Sequence, residues 1–291
     1  MKLPKINLQN SNVMKNILVP TDFSENCIKA AHFAIKMAKT YGAEIHFLHQ
    51  MTTPVDWVKL DKLKEKRYPE TLKQIGNAKS NLRELEKTAE HEGLKCRTFL
   101  QFDSGQKDIL DHSGHFHHDF IITGSSGTKG RVREITGSNV EKIVRKANAP
   151  IIVVKEEEVT FPFNNILFVS DFEEDVSYPF EVVIAIAEQC DASIHLLRIN
   201  TETEFNSIEL GLNPVKEFLE KFPDLKKISM SVHNESSVEE GINTFLKHQS
   251  ADLIAMSTHG KTGFLSLFSK SIAEGVTNHS EVPVMTIHIK N

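Results

Sequence analysis

The most constraining feature of this chain is that it repeats itself. Asn165-Ile166-Leu167-Phe168-Val169-Ser170-Asp171-Phe172 follows Asn16-Ile17-Leu18-Val19-Pro20-Thr21-Asp22-Phe23 at a spacing of 149 residues. The same spacing pairs Ala38 with Ala187, Ala43 with Ala192, Ile45 with Ile194, His46 with His195 and Leu48 with Leu197. Further on the spacing becomes 133: Asp119 pairs with Asp252, Gly127 with Gly260, Gly130 with Gly263, Ser138 with Ser271, Glu141 with Glu274 and Pro150 with Pro283. The 16 residues lost must lie after the second strand, where the first copy carries a long polar connection over 51–70. So many matches in order make the chain two copies of one domain. The expected division is a disordered tail or tag remnant over 1–13, a first domain over 14–155, an acidic, Pro-containing linker over 156–163, and a second domain over 164–291.

Within a copy, short apolar runs alternate with helical patterns. Ile17-Leu18-Val19 reads as a buried strand ending at Pro20. Thr21 to Ser24 reads as a turn with Ser24 as N-cap, and the helix that follows has Cys27, Ala31, Ala34 and Ala38 on one face and stops near Gly42. Ile45 to His49 is a second strand. Leu72, Ile75, Leu82, Leu85 and Ala89 mark a second helix, and Arg97–Leu100 a third strand. A short helix around Ile109 precedes a strand at Phe120, and Ile151 to Val154 form the last strand. This alternation predicts an α/β fold with an open parallel sheet covered on both faces.

Between the strand at Phe120 and a helical pattern at Val140, Ile143, Val144 and Ala147 lies Gly124-Ser125-Ser126-Gly127, nine residues, then Gly137-Ser138. Bare glycine backbone admits positive φ and close approach. A helix start presents unpaired N–H groups and the positive end of its dipole, which together suit a phosphate. The same residues also read as a tight turn followed by an ordinary serine cap. The loop is neither a Walker A loop nor a dinucleotide G-x-G-x-x-G.

Composition narrows the classes. A net charge of −5 argues against a dedicated nucleic-acid binder. No apolar run approaches a membrane span, and Met1 to Val13 lacks a secretory h-region. Cys27, Cys96 and Cys190 are odd in number and far apart, the pattern of core residues in a reducing cytoplasm. His112, His115, His117 and His118 cluster without recognised ligand spacing, so no metal is expected. His46 and His195 read as structural histidines.

Three stretches resemble the universal stress protein family in its tandem two-domain form: Ile17 to Ser24, Asp119 through Gly127 to Gly137-Ser138, and Ala149 to Val154. The resemblance implies, for each copy, a five-stranded parallel sheet with an adenine-nucleotide α-hydrolase-like (Rossmann-like) fold. It also implies pairing of the two domains through their last strands, Ile151–Val154 with Val284–Ile287, and is compatible with a further homodimer. Some members bind ATP and others do not, and the glycine motif is the usual sign of a binder.

Carried onto this sequence, the resemblance implies that Asp22 faces the adenosine, that backbone at Pro20, Thr21 and Gln50 borders the base, and that Gly124, Ser126, Gly127, Gly137, Ser138 and Asn139 hold the phosphates. From the residue alone, Asp22 has two readings: acceptor for ribose hydroxyls at a strand edge, or cap of the following turn. Gln50 stands where the family usually has an apolar residue, Ser126 where it commonly has histidine, and Asp103-Ser104-Gly105 replaces Gly-x-Pro. The second copy keeps Asp171, Gly260 and Ser271 as a degenerate site but has Ser257 for Gly124 and Lys270 for Gly137. Left-handed geometry at a non-glycine costs about 1–2 kcal/mol.

The expectation is therefore a cytoplasmic regulator that binds ATP or AMP, with Mg2+ as phosphate counter-ion, in the first copy, the second serving as pseudo-dimer partner. No nucleophile–base pair stands out, so no fast catalysis is expected, and slow ATP hydrolysis is left open. The alternative is a protein-interaction module with no nucleotide. A nucleotidyl transferase of the same broad fold is disfavoured, because neither His-x-Gly-His nor Ser-Gly-Gly-x-Asp-Ser is present.

Overall fold

The computed structural model describes residues 14–103, 117–124, 149–154, 159–201, 208–258 and 282–289. They fall into two compact units that divide between Glu156 and Glu157.

The first unit contains β1 (Asn16–Pro20), α1 (Glu25–Tyr41), β2 (Glu44–Thr52), α2 (Lys62–Glu65), α3 (Pro69–His91), β3 (Cys96–Asp103), β4 (Phe120–Gly124) and β5 (Ile151–Val154). The strand order is β3-β2-β1-β4-β5 and every pair is parallel. Strands β4 and β5 are buried along their whole length. Burial on both faces explains why these strands read as continuous apolar runs rather than alternating ones.

Helix α1 is defined by its ends. Ser24 Oγ accepts from the Cys27 N–H at 3.4 Å, and Gly42 closes the helix at φ 66°. Its buried face carries Ala30, Ala31, Ala34 and Ala38 among the larger Phe33, Ile35 and Met37. Small side chains allow the helix axis to come close to the sheet.

The second unit contains β6 (Asn165–Val169), α4 (Ser177–Cys190), β7 (Ser193–Asn200), α5 (Ile208–Leu219), β8 (Ile228–Asn234), α6 (Val238–His248), β9 (Leu253–Thr258) and β10 (Val284–His288). Its order, β8-β7-β6-β9-β10, repeats that of the first unit, again all parallel. Asp191 occupies the left-handed cap position, φ 55°, that Gly42 takes in the first unit.

The repeated pair Asp119 and Asp252 has a structural role. Asp119 Oδ2 accepts from the N–H groups of Lys15 and Asn16 at 2.7 and 3.0 Å. Asp252 Oδ2 does the same for Asn164 and Asn165 at 2.6 and 2.9 Å. Each carboxylate clasps the start of its unit's first strand to the entry of the fourth.

Three sequence expectations need correction. The 51–70 connection is not simply polar: Trp57 is buried with Met51 and Ile75, and Tyr68, Leu100 and Phe102 pack around them. The length lost in the second copy comes partly from helix, since α3 has 23 residues and α5 has 12. Leu72, assigned to the apolar face of α3, is 37% exposed, while Thr71 and Ala78 are buried. The expected helices around Ile109 and from Ser138 lie outside the described residues.

Candidate functional site

In each sheet the chain steps outward from the first strand through the second to the third, then returns to place the fourth on the other side. The reversal falls between β1 and β4, or β6 and β9, and in open α/β sheets ligands usually sit at the carboxyl ends of the strands at such a point. Pro20, Thr21, Asp22, Gln50 and Gly124 all reach this edge: Pro20 pairs with Leu48, and the Thr21 N–H extends the ladder to Leu48 O at 2.9 Å.

The loop after β1 is a pair of short side-chain turns. Thr21 Oγ1 accepts from the Phe23 N–H at 3.0 Å, and Asp22 Oδ1 accepts from the Ser24 N–H at 2.8 Å. They hold Phe23 at φ 64°, a conformation costing a non-glycine residue about 1–2 kcal/mol. The Phe23 ring lies 4.4 Å from that of His49. His49 Nδ1 is 2.7 Å from Thr21 O, so it carries the proton and donates to that carbonyl. Burial pushes the His49 pKa down, against the opposing pull of Thr21 O and Asp22, and favours the neutral ring.

Asp22 thus caps its turn, one of the two readings of the residue, while the residue itself stays exposed. Partial desolvation raises its pKa. Hydrogen bonds from Ser24 and Cys27 more than offset this and hold the carboxyl below the ordinary aspartate value, so it is ionised at neutral pH.

Gly124 is fully buried at the end of β4. A Cβ there would stand 2.5 Å from Asn26 C and O and 2.7 Å from Cys27 N. The first turn of α1 is seated on this glycine, so α1 already demands a bare position at 124. The second unit carries Ser257 at this place, and its helix α4 begins only at Ser177, three residues later than the alignment with Glu25 predicts. Withdrawing the first turn makes room for the side chain.

Ser126, Gly127, Gly137, Ser138 and Asn139 lie outside the described residues, as do Gly260 and Ser271 of the second copy. Asp171 is described, and its loop duplicates the first. Its Oδ1 accepts from the Glu173 N–H at 3.1 Å, Ser170 Oγ accepts from the Phe172 N–H at 3.2 Å, and Phe172 sits at φ 59°.

The second unit departs where His49 is replaced by Arg198. This arginine is 7% exposed. Its Nε donates to Asn200 Oδ1 at 3.0 Å and its Nη2 to Glu173 Oε1 at 3.2 Å; Asn200 Nδ2 in turn donates to Asn234 Oδ1 at 2.9 Å. The sequence reading missed this network. Its signal was present, because Arg198 aligns with His49 at the repeat spacing.

The histidines of the repeat are hydrogen-bonded within the fold. His46 is 2% exposed, with Nδ1 3.0 Å from His118 Nε2 and Nε2 3.0 Å from Glu44 Oε1. His195 lies between Ser229 Oγ and Ser231 Oγ at 2.7 and 2.8 Å. Among the described residues no three His, Cys, Asp or Glu side chains converge as metal ligands, and no helix is long and apolar enough to cross a membrane.

Two successive parallel α/β domains, each with a reversal of strand order beside its first strand, define a tandem Rossmann-like protein. The sequence model of the universal stress protein family matches residues 14–155 and 162–288, and the chain belongs to that family. A universal stress protein of Synechocystis sp. is 23% identical over 292 residues, covering 94% of this chain and 99% of its own. One from Methanocaldococcus jannaschii is 28% identical over 153 residues, covering 50% of this chain and 84% of its own. The crystal structure of a universal stress protein from Archaeoglobus fulgidus is similar in fold, with a TM-score of 0.73 at 21% identity, over 97% of this chain and 99% of that one.

Proposed function

We propose that the first unit binds an adenine nucleotide, ATP or AMP, in the crevice above β1 and β4, and that the chain acts as a nucleotide-responsive regulator rather than a fast catalyst. The observation that carries this reading is the exposed, ionised carboxylate of Asp22, held by its turn at the switch point beside the strand that leads into the glycine motif. A carboxylate so placed can accept from two ribose hydroxyls. Backbone at Pro20, Thr21 and Gln50 borders the base. Gly124, Ser126, Gly127, Gly137, Ser138 and Asn139 form the phosphate end, with Mg2+ as counter-ion. Gly124 also lets the first turn of α1 close on β4.

The second unit does not share this role. Its Arg198–Glu173 pair replaces the His49 edge, which supports a divergent rather than a duplicate site. The three free cysteines fit a reducing cytoplasm.

Calorimetry of the full chain with ATP and AMP tests the reading. Micromolar affinity, about −8 kcal/mol, is expected. Asp22→Ala should weaken it by about a hundredfold or more, since two charge-assisted hydrogen bonds are lost at about 1.5–3 kcal/mol each, and Gly137→Lys, which copies the second unit, should abolish it. A flat titration of the parent leaves the interaction-module reading.

A further inference from the structure

Between β2 and α3 the first unit carries a longer segment than the second does at the same place. Strand β2 ends at Thr52 and α3 begins at Pro69, whereas β7 ends at Asn200 and α5 already begins at Ile208. Two aromatic side chains fasten the segment to the body. Trp57 is buried with Met51 and Ile75, and Tyr68 stands edge-on to it with ring centroids 6.1 Å apart. Val55 and Leu60 pack against the same cluster.

What remains between these anchors faces outward. Val58 is 78% exposed and Leu63 75%, more than any other large hydrophobic side chain among the described residues. Around them stand Lys59, Lys62, Lys64, Lys66 and Arg67, all exposed. Among the described residues only Lys59 of these five has an ion-pair partner, Asp56 at 3.1 Å. The stretch 56–67 thus holds five cations against three carboxylates, Asp56, Asp61 and Glu65, in a chain whose net charge is −5. It is a positive island on an acidic protein, and it is held in place by a buried tryptophan.

Val58 and Leu63 are knobs rather than the walls of a groove, because side chains this exposed stand clear of the surface. A folded protein partner would need a pocket for each. A lipid interface takes up such side chains without one, and its anionic headgroups attract the cations beside them. A single-stranded nucleic acid would use the charge but also aromatic faces on which to stack. The aromatic residues here, Trp57 and Tyr68, are packed against each other. The second unit offers a contrast in charge. Ile208 and Leu210 at the start of α5 are exposed too, but the residue between them is Glu209.

We propose that the segment 57–67 is a docking surface for membranes that carry anionic lipid. Val58 and Leu63 enter the headgroup region, and Lys62, Lys64, Lys66 and Arg67 lie over the lipid phosphates. One small patch of this kind gives peripheral, reversible attachment. The proposal does not depend on the nucleotide reading.

The test is co-sedimentation of the full chain with vesicles of phosphatidylcholine alone and of phosphatidylcholine with about one third phosphatidylserine. The chain should pellet with the second and stay in solution with the first. Attachment should fall severalfold between about 0.1 M and about 1 M salt, as the screening length shrinks from about 10 to about 3 Å. Lys64→Gln combined with Lys66→Gln should weaken it about thirtyfold, the value of two charges at such a surface. Leu63→Ser should weaken it about tenfold through the lost apolar contact. All three positions are exposed, so melting temperatures should match the parent. A parent that stays in solution with both vesicles overturns the proposal, as does equal pelleting with both. Variants that pellet like the parent overturn it by placing the contact elsewhere. If Leu63→Ser keeps the parent affinity and a single-stranded oligonucleotide competes for the patch, the surface belongs to nucleic acid and the proposal fails.

Discussion

Gly124→Ala adds one methyl group at the point where the first turn of α1 meets β4. The new Cβ would lie 2.5 Å from Asn26 C and O and 2.7 Å from Cys27 N. These are backbone atoms, so no side chain can swing aside, and reaching ordinary contact requires the turn to retreat by about 1 Å. Overpacking of this kind typically costs about 1–3 kcal/mol. Retreat also pulls the Cys27 N–H from Ser24 Oγ, and loss of a cap costs about 1 kcal/mol. The sum, about 2–4 kcal/mol, should appear in the denaturant transition of the first unit, and exchange of the Ile28 N–H, bonded to Ser24 O, should accelerate. The reciprocal change, Ser257→Gly, should stay within about 0.5–1 kcal/mol, because α4 has no first turn to seat there. If Gly124→Ala unfolds within about 0.5 kcal/mol of the parent, the scale of a neutral surface change, α1 does not rest on β4 as described.

Glu173→Ala should destabilise the second unit by about 2–3 kcal/mol and Arg198→Met by less, in denaturant titrations, since only the former leaves a buried guanidinium without its counter-charge while Glu173 is half exposed and can rehydrate. The opposite order would refute that account. His195 gives the same unit an acid limit. Burial first, and His233 second, pull its pKa from 6.5 to about 4. The unfolded chain therefore takes up a proton below pH 6.5 that the folded unit refuses until about pH 4, so stability present above 6.5 falls across that window. Discounted for partial exposure, the loss is about 1–2 kcal/mol. It should vanish in His195→Asn, and an unchanged slope would contradict it.

Much of this architecture could be read before any coordinates. A repeat with a strand–helix alternation admits few topologies, and Ser24, Gly42 and the alanines of α1 carry local rules that tertiary packing did not override. What escaped depends on residues far apart in sequence. Trp57 looked like part of a polar connection because its partners, Ile75 and Phe102, belong to other elements. The demand for glycine at 124 comes from Asn26, nearly one hundred residues earlier, whereas the local pattern pointed to a phosphate loop or a tight turn. Asp22 was ambiguous because one carboxylate can cap a turn and still face a crevice. Arg198 was visible only as a mismatch in the repeat.

The Asp119 and Asp252 clasps bear on how a ribosome makes this chain. The first strand synthesised in each half ends up in the interior of its sheet, flanked by the second strand and the fourth. Its last tether arrives 104 residues after Lys15 in the first half, against 88 after Asn164 in the second. At roughly 5–20 residues per second of translation, Ile17-Leu18-Val19 stays unfinished for roughly 5–20 s after emerging. The first half is thus exposed for longer during synthesis, and the second, with its shorter wait, is the quicker to close.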